Sequence, residues 1–247
     1  MPIDVERPNL HRIRLDRSRV DAGDWGSYPF TVPAIAAIPD IAVRSRVLFF
    51  AGENGSGKST LLEGIAAKAG FAIGGGTANA RFDSRGSEDA DRLSEALSLS
   101  WTARSKNGYF LRAETLFNLA SYLEEIGDRS PSLHRMSHGE SFLTTFQRRF
   151  HGDGLYLLDE PEAALSIQRQ LTLLVIVRDV LAASARAQFI IATHSPILLA
   201  YPGAQILTFD GDRIEPIAYE QTQPYVLTRS FLSDPKRYVH RLFAGGE

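Results

Sequence analysis

Three stretches of the chain are apolar almost without a break: Arg46-Val-Leu-Phe-Phe-Ala51, Gly154-Leu-Tyr-Leu-Leu158 and Gln188-Phe-Ile-Ile-Ala192. An unbroken run of strand length, as opposed to an alternating one, predicts a strand buried on both faces of a parallel sheet. The segments between them carry the helical period. Lys58 to Ala69 predicts a helix stopped by Gly70, and a long helix is expected from about Ser166 to Ala185. Ala113 to Ile126 places Leu116, Leu119, Ala120 and Leu123 on one helical face before Gly127 to Pro131 breaks it; a further helix is expected from Ser137 to Phe150. Ser195-Pro196 supplies an N-cap and a first-turn proline for another helix. Gln205 to Phe209 and Arg213 to Ile217 flank Asp210-Gly-Asp212, a hairpin signal, and Asp234 to Phe243 predicts a helix. Tyr109 to Leu111 reads as a short strand. Residues 1–46, with Pro8, Pro29, Pro33 and Pro39 among them, read as loop-rich, with one or two short strands around Tyr28 to Val32; residues 77–100, polar and rich in Ser, Asp and Arg, read as a weakly structured surface excursion.

Composition narrows the class without adding elements. A chain of 247 residues accommodates one large α/β core with an added lobe. Lys plus Arg is 27 and Asp plus Glu is 29, a formal charge of −2, which argues against a wholly basic nucleic-acid binder and offers no phosphate-tracking stripe. The longest apolar run, Leu173 to Val177, is broken by Arg178 and Asp179, far short of the roughly 20 residues a bilayer span needs, so no direct membrane insertion is expected. Met1 to Arg19 has no apolar signal core, and there is no cysteine, which removes disulfides and thiolate chemistry and fits a cytoplasmic location.

Candidate chemistry begins where the first buried strand ends. Gly52-Glu53-Asn54-Gly55-Ser56-Gly57-Lys58-Ser59 fits G-x-x-x-x-G-K-[ST] between a predicted strand and a predicted helix. Glycines let the backbone wrap a phosphate with its N–H groups inward, and the helix N-terminus adds partial positive charge. In such a loop Lys58 reaches the β- and γ-phosphates, Ser59 ligates Mg²⁺, and Thr60 supports the neighbouring phosphate. Asp159 and Glu160 end the second buried strand, where α/β sheets bind ligands. Asp159 would hold the Mg²⁺ shell, and Glu160 would polarise the attacking water as general base. His194 follows the third buried strand, which as a parallel neighbour would bring it beside Glu160 to bond the γ-phosphate. Ser137, Gly139 and Glu140 open a predicted helix. They read either as a capping box or as a second phosphate-binding surface, made of exposed N–H groups and a hydroxyl.

Phosphate loop, S-x-G-E helix start, Asp-Glu after an apolar strand, then His after the next strand: in this order the motifs resemble those of an ABC-type ATPase domain. The stretches Phe110 to Glu114, Ser132 to Ser141, Leu157 to Ser166 and Ile190 to Leu199 are similar to a group of small stand-alone bacterial ATPases. The resemblance implies a phosphate-loop NTPase core over residues 1–247. That core would be α/β with a mostly parallel sheet, an N-terminal antiparallel portion and a helical lobe inserted at 77–150. It implies ATP and Mg²⁺ as ligands. Gly52 to Thr60 matches the Walker A motif, and Asp159 with Glu160 matches Walker B and the catalytic glutamate. Ala163 to Ser166 lies where the D-loop runs, and His194 matches the switch histidine. Ser137 to Glu140 matches the signature that contacts the ATP of the opposite subunit. His138 stands where many relatives have glycine. No glutamine precedes the lobe, so Glu114 is the stand-in for a Mg²⁺ or water contact. The adenine-stacking aromatic is expected upstream of Val47, at Tyr28 or Phe30.

Function follows in three forms. The first is an ATP-driven homodimerisation switch read by a protein partner. The second is the nucleotide-binding subunit of a transporter, which needs a separate membrane subunit. The third is a DNA-maintenance ATPase, against which stands the short distance from Lys58 to Ser137, too small for a long coiled-coil insertion.

Overall fold

A computed structural model describes residues 8–72, 88–104, 107–112 and 150–244. Two sheets organise them. The larger has six strands in the order β5-β6-β7-β3-β8-β9: β5 Gly108–Arg112, β6 Leu155–Asp159, β7 Gln188–Thr193, β3 Val47–Ala51, β8 Gln205–Thr208 and β9 Glu215–Pro216. All its pairings are parallel except the final β8–β9 hairpin, which turns at the predicted Asp210-Gly-Asp212. The smaller sheet is antiparallel, in the order β2-β1-β4, from β2 Ile41–Ala42, β1 Leu10–Leu15 and β4 Leu97–Trp101.

The unbroken apolar runs become the sheet's centre because both faces are covered. Leu48 and Phe50 of β3 join one core with α2 (Lys58–Ala69) and the small sheet, while Val47, Phe49 and Ala51 join a second core. That second core packs on α4 (Ile167–Ala183). The period-two alternation of a strand thus feeds two apolar cores. In α2, a Cβ on Gly64 would stand 2.8 Å from Leu93, so this glycine lets α3 (Glu88–Ala96) lie close against α2. Short helices α1 (Pro33–Ala36) and α5 (Pro196–Leu199) precede α6 (Gln223–Ser233) and α7 (Pro235–Ala244), which close the described chain. Among the described residues no helix is long and apolar enough to cross a membrane.

Several expectations need correction. Tyr28 to Val32 is a turn leading into α1, not a strand. Residues 88–100, part of the 77–100 stretch expected to be weakly structured, fall in α3 and β4. Within the 77–150 stretch assigned to an inserted helical lobe, residues 97–101 and 108–112 are strands, and β5 is the edge of the main sheet. The helices expected over 113–126 and 137–150 lie outside the described residues, apart from Phe150, which is not helical.

Candidate functional site

The strand order decides which loops meet. β3 ends in the phosphate loop, β6 ends in Asp159, and β7 runs between them, so three strand ends present their chemistry side by side. Gly52, Gly55 and Gly57 take φ of 149°, 81° and 100°, the left-handed half of conformational space that side chains disfavour. Space adds a second constraint at Gly52, where a Cβ would sit 3.0 Å from Asp210 Oδ1 and 3.1 Å from Ser56 Oγ. Gly57 is the N-cap of α2 and, as a glycine, gives its first N–H groups no side-chain partner. The Ser56 hydroxyl, buried inside the loop, has no hydrogen-bond partner either. An unpartnered hydroxyl beside a helix start that no side chain caps is a fit for phosphate oxygens.

Lys58 is 3% exposed, and its ammonium donates to the carbonyls of Gly52 at 2.8 Å and Glu53 at 2.7 Å. Burial pulls its pKa below the ordinary lysine value, while the nearby carboxylates of Glu160, Asp159 and Glu162 resist that shift. Ser59 Oγ donates to Asp159 Oδ1 at 2.8 Å, joining the helix start to the end of β6. A hydroxyl and a carboxylate in contact form an oxygen donor set suited to a hard divalent cation. Burial pushes the Asp159 carboxyl up to about 6, against the pull of the Ser59 hydrogen bond and the Arg112 guanidinium. Arg112, opposite Asp159 in the β5–β6 register, lies 3.7 Å from its Oδ2 and bonds Glu63 Oε1 of α2 at 2.9 Å.

Among the described residues Glu160 is the one non-glycine in the left-handed region, at φ 46° and ψ 52°. Its N–H donates to Ala192 O at 3.0 Å, and its C=O accepts from Ala163 N–H at 3.0 Å, holding a 3₁₀ turn over Pro161–Ala164. Register pairs Asp159 with Ala192, so Thr193 comes level with Glu160 and His194 lies one step beyond. The side-chain partner of His194 is Glu162: Nδ1 stands 3.2 Å from Glu162 Oε1.

The loop's outer side is tied to distant segments. Glu53 N–H donates to Asp210 Oδ1 at 3.0 Å, and Gln223 Nε2 donates to Glu53 Oε1 at 2.6 Å. Asn54 and Gly55 are exposed. Thr60 Oγ1 and the Tyr28 hydroxyl are 2.8 Å apart, with Tyr28 45% exposed. Phe30 is buried against Trp25 and is unavailable to stack on a ligand, so of the two candidate aromatics only Tyr28 faces outward. Ser137, Gly139, Glu140 and Glu114 lie outside the described residues. Sequence reasoning missed Arg112, Glu162 and Asp210. Glu162 had a visible signal, a third acid in Asp-Glu-Pro-Glu; Asp210 was legible only as a turn residue, and Arg112 only as a member of the Phe110 to Glu114 stretch, one residue past the expected strand.

A family model described as "AAA domain, putative AbiEii toxin, Type IV TA system" matches residues 128–200, which include Ser137 to Glu140, Asp159, Glu160 and His194 but not the phosphate loop. Among curated proteins none matches the chain. Among the solved structures similar to it are the following three. "An inward-facing conformation of a putative metal-chelate type ABC transporter" aligns at 15% identity and TM-score 0.46, over 76% of this chain and 79% of that one. "SMC head domain from Thermotoga maritima" aligns at 14% identity and TM-score 0.43, over 72% of this chain and 93% of that one. The Clostridium perfringens protein in "Structure of cbiO1 from clostridium perfringens: Part of the ABC transporter complex cbiONQ" aligns at 13% identity and TM-score 0.43, over 94% of this chain and 99% of that one.

Proposed function

We propose that this chain binds ATP with Mg²⁺ and hydrolyses it, and that ATP joins two copies face to face as a switch. The observation that carries the reading is the Ser59–Asp159 contact of 2.8 Å beside the buried Lys58. It brings a phosphate loop and a cation-binding carboxylate together from residues far apart in sequence.

Phosphate oxygens would replace the Gly52 and Glu53 carbonyls as partners of Lys58, trading two neutral acceptors for charged ones, which bind roughly twice as strongly. Loop N–H groups and the start of α2 hold the remaining oxygens. Ser59 and Asp159 would hold Mg²⁺, which when bound neutralises charge on the phosphates. Glu160 accepts a proton from water as the water oxygen bonds the γ-phosphorus; the bond to the ADP oxygen breaks, and ADP and phosphate leave. His194 would bond an oxygen of the transferred group, and Tyr28 would stack on the base. Ser137, Gly139 and Glu140 would contact the ATP of the opposite copy.

Glu160→Gln tests base and switch together. It is expected to lower kcat by at least ~100-fold. With ATP the 27.3 kDa chain should then run at twice its mass in light scattering, and Ser137→Ala added to it should restore the single-copy mass. A Glu160→Gln protein as fast as wild type refutes the base; one that stays at single mass in ATP refutes the switch.

A further inference from the structure

The carboxylate of Glu162 does more than end a turn. Its side chain is only 6% exposed, and Oε1 accepts from Thr193 Oγ1 at 2.6 Å and from the His194 backbone N–H at 2.7 Å. The same oxygen lies 3.2 Å from His194 Nδ1. Its other oxygen, Oε2, is buried with no hydrogen-bond partner. All three groups around Oε1 belong to the two residues at the end of β7. The carboxylate itself rides on the turn that begins at Glu160, fixed by the Ala163 N–H to Glu160 C=O bond. A buried carboxylate is costly unless its partners are well placed, and a neutral side chain could staple turn to strand without that cost. What only a carboxylate supplies is a strong acceptor for an imidazole N–H. A bond from Nδ1–H to the oxygen 3.2 Å away would fix the ring's orientation and leave Nε2 as the edge free for a ligand.

We propose that Glu162 is a positioning residue for His194 in ATP hydrolysis: it holds Nδ1–H so that Nε2 is presented to the phosphoryl group, and it couples that presentation to the turn carrying Glu160. This rests on the ATPase reading above.

Glu162→Gln isolates the charge. Its amide oxygen still accepts from Thr193 and His194 N–H, and the new NH₂ replaces an oxygen that made no hydrogen bond. The experiment is a double-mutant cycle on steady-state ATPase with Glu162→Gln, His194→Ala and both, with thermal melting of each protein. Glu162→Gln is expected to melt within about 3 °C of wild type. Its kcat should fall about 10- to 100-fold, with KM for ATP changed less than about threefold. In the His194→Ala background the same substitution should change kcat less than about twofold, because Glu162 acts only through the ring. An equal slowing in both backgrounds, or a Glu162→Gln protein as fast as wild type, overturns the proposal. A wild-type chain with no Mg²⁺-dependent ATPase removes the ATPase reading and this proposal with it. Normal wild-type activity, a slow His194→Ala protein and a fast Glu162→Gln protein remove the proposal alone.

Discussion

The ends of β3 and β6 both turn into left-handed backbone, but by different means. After β3 the positive φ angles fall on Gly52, Gly55 and Gly57, where they cost nothing sterically. After β6 the positive φ falls on Glu160, a side chain that disfavours it by roughly 1–2 kcal/mol. A strained residue persists where the surroundings over-determine it, and here Ala192 O, Ala163 N–H and Pro161 do so. The phosphate loop needs backbone donors, so it can use glycine. Under the proposed function the end of β6 uses a carboxylate at that spot, and the strained residue is the one whose side chain would polarise the attacking water.

The sharpest way to break this contrast is Glu160→Gly. It should lower kcat by at least ~100-fold, since the proposed base is gone. Stability in urea should nonetheless stay level or rise by up to about 1 kcal/mol as the strain is relieved. A clear loss of stability would mean that the left-handed turn is held by the glutamate side chain and carries no strain.

A second test concerns the neighbouring Asp159. Its carboxyl titrates at about 6 in the folded protein, above the ordinary 3.8, so the folded state holds the proton more tightly than the unfolded one. The stability this contributes is fully present below about pH 4 and is lost as pH rises through 6; above that, the buried charge costs up to about 3 kcal/mol. Asp159→Asn should therefore be more stable than wild type by about 1–3 kcal/mol at pH 8 and equal to it near pH 4, by urea denaturation without Mg²⁺. The substitution should also abolish the Mg²⁺ dependence of nucleotide binding. Equal stabilities at both pH values would show that Asp159 is well solvated or fully paired in the Mg²⁺-free protein.

The same contrast explains what the sequence disclosed. The loop was legible to the residue, because its glycines, lysine and serine are adjacent in the chain and α2 runs over the predicted Lys58–Ala69. The three buried strands were legible because both of their faces are apolar. β1 was not: Leu10–Leu15 carries His11, Arg12 and Arg14 outward and gains its partners only at the two-residue β2 and at β4, farther along the chain. β4 and α3 were missed for the same reason, since polar exposed faces hide elements that bury one side. α6 also escaped notice, its exposed Val226, Leu227 and Phe231 giving no clean stripe. At the site, Asp159, Glu160 and His194 were visible as residue types at strand ends. The pairing of Glu162 with Thr193 and His194, and of Arg112 with Asp159, depends on strand register and side-chain reach, which no local pattern encodes.

The most direct measurement is calorimetric titration of the chain with ATP and Mg²⁺, alongside phosphate release, for wild type and Lys58→Ala. The account predicts Mg²⁺-dependent binding and turnover in wild type, with affinity reduced at least ~30-fold and no turnover when the buried ammonium is removed. Equal ATP binding by both proteins, or none by wild type, would contradict it.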